Sequence, residues 1–496
     1  MNIKSVYNKI VGSGNQEKII KGIFWSFLGT FISKGFAFIA LFLVARLLSV
    51  QEYGKLGLLQ SYINTFTLFS LASFGVTATK YLAVYNNEDK RKASEIFSLT
   101  RIFVFVLSTL ILIFSYIFND VICEYIVGDP NLKLEVLICS GAIYFSSLNG
   151  LQVGALAGLQ NFKSISIVNI VNGVLSLPLI IASAYYYGIK GVVVSLTIVN
   201  FSIWICSAIL LKKELIKNQL FFTAKNLRKH FDTLYHFSLP SFLSSIMLAP
   251  VVLICNSFLI KYNPTGYYEL GIYNAAFNFS QVGTILIGIM GQVFYPMAMQ
   301  NFGKNNRKFD FFNINNSYII GIFIFLPILC IPDLFAGFYG FKYKNSSMYF
   351  SMIYIGLSSI VISQKQGIAR NFAAGNFMWF SVFSNMLWAI STILFSYFLV
   401  QKGSMGRSFS LFIGYLINTV FFIPFYIKKK LINKDLFLTK EHLAIITLIG
   451  LAIVSFILIS SVVIRLFVML IILLFSGYVF FVWYKNFVSK IKIDEE

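Results

Sequence analysis

The chain has 496 residues, of which 57% are hydrophobic and 12% charged, and its mean hydropathy is +0.77. Soluble domains carry roughly 25% charged residues, so a soluble enzyme, a disordered chain, a collagen-like repeat and a disulfide scaffold are all excluded. A polytopic membrane protein remains. The 40 basic residues exceed the 19 acidic ones, for a net charge of +21. In a soluble chain that excess would point to nucleic acid. In a membrane protein it is a topology signal, and no nucleic-acid partner is expected.

Windows of about 20 apolar residues mark spanning helices. In chain order they fall at 22–44, 56–78, 98–118, 136–157, 164–186, 191–211, 238–260, 270–295, 317–338, 349–371, 377–399, 408–427, 443–464 and 465–484. The fold class is therefore all-α, with about fourteen transmembrane helices. The last two windows join at Arg465. No small-residue cleavage site follows the first window, so it is expected to stay as a span. The five cysteines form no CxxC pair. They read as small hydrophobes, and no metal or cofactor is expected.

The connections are short, and none has room for a soluble domain. Summing basic residues on alternate sides gives 29 on the side holding both termini and 10 on the other, with Lys34 left inside a span. The positive-inside rule then places both termini in the cytoplasm.

Fourteen spans divide into six, six and two. The expected organisation is an amino-terminal lobe at 1–211, a basic linker at 212–236, a carboxy-terminal lobe at 237–427, and a helix pair with its tail at 428–496. Ala157-Gly-Leu-Gln-Asn161-Phe162 is echoed by Ala373-Ala-Gly-Asn376-Phe377 at an offset of 215. Asn274, Asn278 and Gln281 lie on one helix face, and an offset of 217 sets them against Gly57, Ser61 and Asn64. Each lobe has an amphipathic lead-in, Ile3, Val6, Tyr7 and Ile10 in one and Leu227, Phe231, Leu234 and Tyr235 in the other. Six helices return the chain to its starting side. The lobes are thus a parallel repeat, a transporter architecture with the route between its halves.

The opening segment reads Gly22-Ile-Phe-Trp-Ser-Phe-Leu-Gly-Thr, then Ala45-Arg46-Leu-Leu-Ser-Val-Gln-Glu-Tyr53-Gly54, then Phe74-Gly75-Val-Thr-Ala-Thr79-Lys80-Tyr. This resembles the polysaccharide-export branch of the multidrug/oligosaccharidyl-lipid/polysaccharide (MOP) flippase superfamily, which includes the Wzx-type O-antigen and capsule flippases. Span number, loop lengths and duplicated lobes agree along nearly the whole chain. The resemblance implies a MATE- and MurJ-like fold in a bacterial cytoplasmic membrane. It implies alternating access that carries an undecaprenyl-diphosphate-linked oligosaccharide from the cytoplasmic to the periplasmic leaflet. The helix pair departs from the twelve spans of many Wzx-type members and is similar to that of the lipid II flippase. The implied partners are the bilayer, a proton or other ion gradient, and the polymerase and chain-length proteins of the same pathway. A monomer is expected.

An ionisable group within a span is expensive and marks a functional site by default. Lys34 lies in the middle of the first span, on a face with Ser26 and Thr30. It suits a diphosphate as a compact charge with three donors. Ser359, Ser363, Gln366 and Arg370 form a second polar face in the tenth span, with Lys365 off the stripe. Arg101 begins the third span, and Arg46 and Arg407 lie at external ends. Each suits either a diphosphate or anionic headgroups. Asn64, Asn274, Asn278, Gln281 and Gln292 suit sugar hydroxyls, and interhelical bonding is the plainer reading of Asn169 and Asn172. All acids fall outside the spans except Asp333, at the external end of the ninth. That leaves ion coupling without an obvious residue. It also disfavours the alternative of a cation-coupled multidrug exporter. A membrane glycan polymerase or transferase is less favoured still, because the external loops are short and no nucleotide loop is present. A transporter, not an enzyme, is expected.

Overall fold

The computed structural model describes residues 14–71, 73–223, 230–231, 238, 242–243, 246–301, 307–374, 378–429, 432 and 439–495. The first lead-in stripe and most of the second lie outside them. The described residues are helical, with no strand among them. In chain order the main helices are α1 (Gly14–Leu47), α2 (Val50–Leu71), α3 (Phe74–Glu88), α4 (Lys90–Ile117), α5 (Lys133–Gly158) and α6 (Phe162–Asn218). There follow α7 (Leu248–Tyr262), α8 (Gly266–Asn301), α9 (Arg307–Cys330), α10 (Pro332–Phe338), α11 (Ser346–Ala374), α12 (Met378–Phe398), α13 (Gly403–Lys428), α14 (Lys440–Leu458) and α15 (Val462–Glu495).

Ten of these are long and apolar enough to cross a membrane. One of them, α6, contains two spans, because Gly188 breaks it with φ 58° and ψ −144°. Only glycine adopts that conformation without strain. With the more polar α2 and α8 and the shorter α7, the count returns to about fourteen.

Three expected boundaries shift. The second window is crossed by a break at Ser73, whose φ is 60°, so α2 and α3 are separate helices. The ninth ends early because Ile331 precedes a proline, which disfavours helical geometry, and it adopts φ −135°. The last two spans part at Ile459, which is extended, not at Arg465.

The chain forms two units. One comprises 1–47 with 58–253, the other 48–57 with 254–496. The boundary falls within α7, after the linker, and the first turns of α2 belong to the second unit.

In the first unit, α1 lies against α6 through small residues. A methyl on Gly29 would meet Ser166 Oγ at 2.6 Å, and one on Gly173 would meet Ser33 Cα at 2.9 Å. Close backbone approach replaces the hydrophobic effect as the glue between helices in lipid. At its amino-terminal end, α4 holds the linker. Glu95 is buried and accepts from His230 Nε2 at 2.8 Å, while the backbone amides of Phe221 and Thr223 donate to Ser94 and Ser98. Glu95, expected in a loop, is thus an interior helix residue whose charge His230 and Arg91 accompany.

In the second unit, α11 packs on α8, α9 and α13, and α14 and α15 pack on α9. Arg465 fastens α15 to α10. Its two terminal nitrogens donate to the two carboxylate oxygens of Asp333 at 2.9 and 2.6 Å, and its guanidinium lies 5.2 Å over the Phe456 ring. The intramembrane acid is therefore accounted for by a structural pair.

The repeat is carried by the backbone as well. Gly403, 215 residues after Gly188, has φ 60° and ψ −137°, nearly the same as its counterpart. Both copies place a helix–helix corner there. The α5–α6 and α11–α12 connections also agree at this offset to within one residue.

Candidate functional site

Lys34 lies on the exposed face of α1 with Phe27 and Phe31, while Gly29, Ser33 and Ala40 on the other side are buried. This arrangement follows from the 3.6-residue period. Ser33 accepts from Asn172 Nδ2 at 3.3 Å, so Asn172 serves α1–α6 packing. Thr30 is half-buried one turn before Lys34. Among the described residues Lys34 has no ion-pair partner. An ammonium halfway along a span, on an open face and without a carboxylate, needs water or an anion beside it.

Asn64 of α2 and Arg101 of α4 are also exposed. The Arg101 guanidinium sits 5.8 Å over the Phe222 ring. Arg46 is exposed at the end of α1, 5.8 Å from the Phe42 ring.

The span-eight amides divide. Gln281 is exposed and Asn278 buried. Asn278 Nδ2 donates to the Tyr53 hydroxyl, and its oxygen accepts from Gln281 Nε2 at 3.4 Å. Asn274 is wedged against Gly57, where a methyl would meet its Nδ2 at 1.7 Å. The side chain of Gln292 lies outside the described residues.

The α11 stripe meets α8 at Ser359, whose hydroxyl lies 2.6 Å from that of Ser280, and α9 at Ser363 and Arg370. Arg370 is buried. It donates from Nε to Asn313 Oδ1 at 2.7 Å and from Nη2 to Ser317 Oγ at 3.1 Å, and also to the Asn313 carbonyl. Ser363 sits beside Gly321 of α9, and Gln366 is half-buried. Lys365 leaves the stripe, as its position dictates, and points the other way. Its ammonium donates to Asn418 Oδ1 of α13, and Asn418 also bonds Ser384 of α12. Three helices thus share one lysine-centred polar contact.

Arg407 of α13 is also buried. Its Nε donates to Asn256 Oδ1 at 3.2 Å, and its guanidinium lies 4.6 Å over the Tyr273 ring.

Sequence reasoning missed how the start of α2 is held. At the 217 offset, Glu52-Tyr53-Gly54 matches Glu269-Leu270-Gly271, a legible echo. The two glycines face each other. A methyl on Gly54 would meet Tyr267 O at 1.9 Å and Gly271 N at 2.9 Å, and one on Gly271 would meet Val50 O at 2.0 Å. Around this crossing Lys55 lies 5.2 Å over the Tyr267 ring, and Lys342 donates to the Leu48 carbonyl. Burial pulls the Lys342 ammonium below the usual lysine range, and Glu52 opposes that shift. The two glutamates do matching work at helix starts. Glu52 accepts from Ser49 N at 2.9 Å, and Glu269 accepts from Ser404 N, the second residue of α13, at 2.7 Å.

Residues 19–302, more than half of the chain, match the family model described as polysaccharide biosynthesis protein. Over 492 residues the chain is 22% identical to an uncharacterised membrane protein of Methanocaldococcus jannaschii, covering 91% of this chain and 93% of that protein. Among solved structures it is similar to an inward-facing MATE-family multidrug resistance transporter of the MOP superfamily. That likeness has a TM-score of 0.64 at 14% identity, over 81% of this chain and 94% of the other. It is also similar to a MOP superfamily transporter from Pyrococcus furiosus whose binding pocket is described as reversed in polarity. There the TM-score is 0.58 at 14% identity, over 82% and 94% of the two chains. At these identities the solved structures establish the fold, and the family match establishes the branch. The chain belongs to the polysaccharide biosynthesis protein family, the polysaccharide-export branch of the MOP flippase superfamily.

Proposed function

We propose that this MOP-superfamily transporter moves an undecaprenyl-diphosphate-linked oligosaccharide from the cytoplasmic to the outer leaflet by alternating access, for surface polysaccharide synthesis. The observation that carries the reading is Lys34, a cation on an open helix face in the middle of a span. A diphosphate headgroup is the part of such a substrate that hydrocarbon excludes most strongly. A fixed ammonium offers it charge and donors on the way. Thr30, Asn64 and Gln281 would supply polar contacts to sugars. Arg46 and Arg101 would meet the headgroup at the two ends of its path. Arg370, Gln366, Asn274 and Asn278 act by shaping the second unit. The drug-exporter alternative would favour a mid-span carboxylate, and α1 carries a lysine instead.

The proposed setting is the cytoplasmic membrane of a cell that makes a lipid-linked glycan, with both termini in the cytoplasm. An ion gradient supplies the energy, and the protein works as a monomer beside the polymerase and chain-length proteins of its pathway. The test is reconstitution with a fluorescent diphosphate-linked oligosaccharide. Lys34→Ala should abolish transfer to the far leaflet while Lys34→Arg retains part of it. Equal transfer by Lys34→Ala and the unaltered protein would overturn the reading.

A further inference from the structure

The stretch from the end of α4 to the start of α5 carries four acids, Asp120, Glu124, Asp129 and Glu135. Three of them reach water or have partners. Asp120 pairs with Lys133 at 2.6 Å, and both side chains are more than half exposed. Glu124 is exposed. Asp129 is half-buried and accepts from the backbone N–H of Asn131 at 3.0 Å. Glu135, in the first turn of α5, differs. It is 1% exposed. Its Oε2 is buried and has no hydrogen-bond partner. Among the described residues it makes no ion pair.

The groups enclosed with it are neutral. Cys139, one turn later on α5, and Cys123 are both fully buried. Each thiol is within electrostatic reach of Glu135. Tyr62 of α2 is within reach of both thiols, and its hydroxyl is bonded to Ser115 of α4 at 2.8 Å. Thiols are weak donors and do little for an anion. The one base of the stretch, Lys133, is taken by Asp120 at the surface. Lys190, at the α6 corner, is exposed.

A carboxylate enclosed without a counter-charge is strongly unfavourable, and such a group takes a proton and becomes neutral instead. The other three carboxylates of the stretch add like charge that an anion here would have to bear. A proton also needs no cavity. We propose that Glu135 is a proton-binding site that holds the outer end of the first unit closed. Binding forms one O–H bond on the carboxylate from one aqueous proton, and nothing else is transferred. With the proton bound, the neutral carboxyl stays packed among α2, α4 and α5. On its loss the anion must reach water, and the start of α5 loosens. The proton thus favours one of two packings, because it binds them unequally. The sequence left ion coupling without an obvious residue. Within the transport reading above, on which this one point rests, Glu135 is the group through which a proton gradient acts.

The test uses infrared spectroscopy of the purified full-length protein in an ester-free detergent at neutral pH, where exposed carboxyls are ionised. The expected result is a C=O band of a protonated carboxyl that Glu135→Gln lacks. Glutamine is close in shape to the neutral acid, so this variant should fold. Should it not, Glu135→Asp takes its place, and its band should be displaced from that of the unaltered protein. Hydrogen exchange then reads the packing. In the unaltered protein, exchange over residues 118–140 should accelerate at alkaline pH beyond its intrinsic base dependence. In Glu135→Gln it should not. The absence of a protonated-carboxyl band, a band unchanged by the substitution, or equal acceleration in both proteins would each overturn the proposal. Neither measurement involves a carried substrate, so its failure is distinct from failure of the transport reading.

Discussion

Replacing Gly54 by alanine tests the contact between the start of α2 and α8. The added methyl would stand 1.9 Å from the Tyr267 carbonyl oxygen, at least 1.1 Å closer than the 3.0 Å limit that real Cβ atoms respect. Its other neighbours are also backbone, at Gly271 N and Tyr267 C, both 2.9 Å away. No side chain can swing aside, so the helices themselves must separate. Overpacking of this kind costs about 1–3 kcal/mol, and the loss of the Asn278–Tyr53 bond would add about 1 kcal/mol. The control is Gly35→Ala on α1, where nothing lies within 4 Å. There alanine should be neutral or stabilise by up to about 1 kcal/mol. Thermal unfolding of the purified variants, read by light scattering and intrinsic fluorescence, should show Gly54→Ala melting lower by about 4 °C or more and Gly35→Ala unchanged or higher. If the two variants melt together, the close crossing is not a feature of the folded protein.

Other outcomes follow from the same geometry. Asp333→Ala strands the buried Arg465 guanidinium and should cost about 3 kcal/mol. The double variant Asp333→Leu/Arg465→Met should recover most of that loss in a thermal-melt cycle. Gly188→Ala and Gly403→Ala each force a side chain into a conformation that costs about 1–3 kcal/mol, and both should lower the melting midpoint. Single cysteines placed at 34 and 370 should differ in labelling by a water-soluble maleimide. Position 34, on an open face, should react readily, and position 370, packed against α9, should react slowly.

The apolar windows located most of the helices, because a span needs length and hydrophobicity and little else. They misplaced ends wherever one backbone angle decides the matter. Ile331 and Ser73 end helices inside windows that stay apolar, and hydropathy does not register φ. Periodicity correctly put Ser359, Ser363 and Arg370 on one face. It could not say that the face meets Asn313 and Ser317 of α9, because a polar stripe looks the same whether a helix or water lies against it. Lys34 and Arg407 are both basic residues of a span or its end, yet one is exposed and the other buried. That difference depends on neighbours more than a hundred residues away. The Glu-x-Gly echo is present in the sequence, but two matching residues are too few to mark a contact between the segments that carry them.

The membership of residues 48–57 in the second unit bears on how the protein is made. This segment leaves the ribosome some 200 residues before the helices it packs against, since its unit resumes only at Ile254. The first turns of α2 must wait in the membrane, with their glycine face uncovered, until α8 has been inserted. The amino-terminal half therefore cannot finish folding during its own synthesis. A chain cut in the linker would release a first fragment whose second helix is complete in sequence but only partly packed.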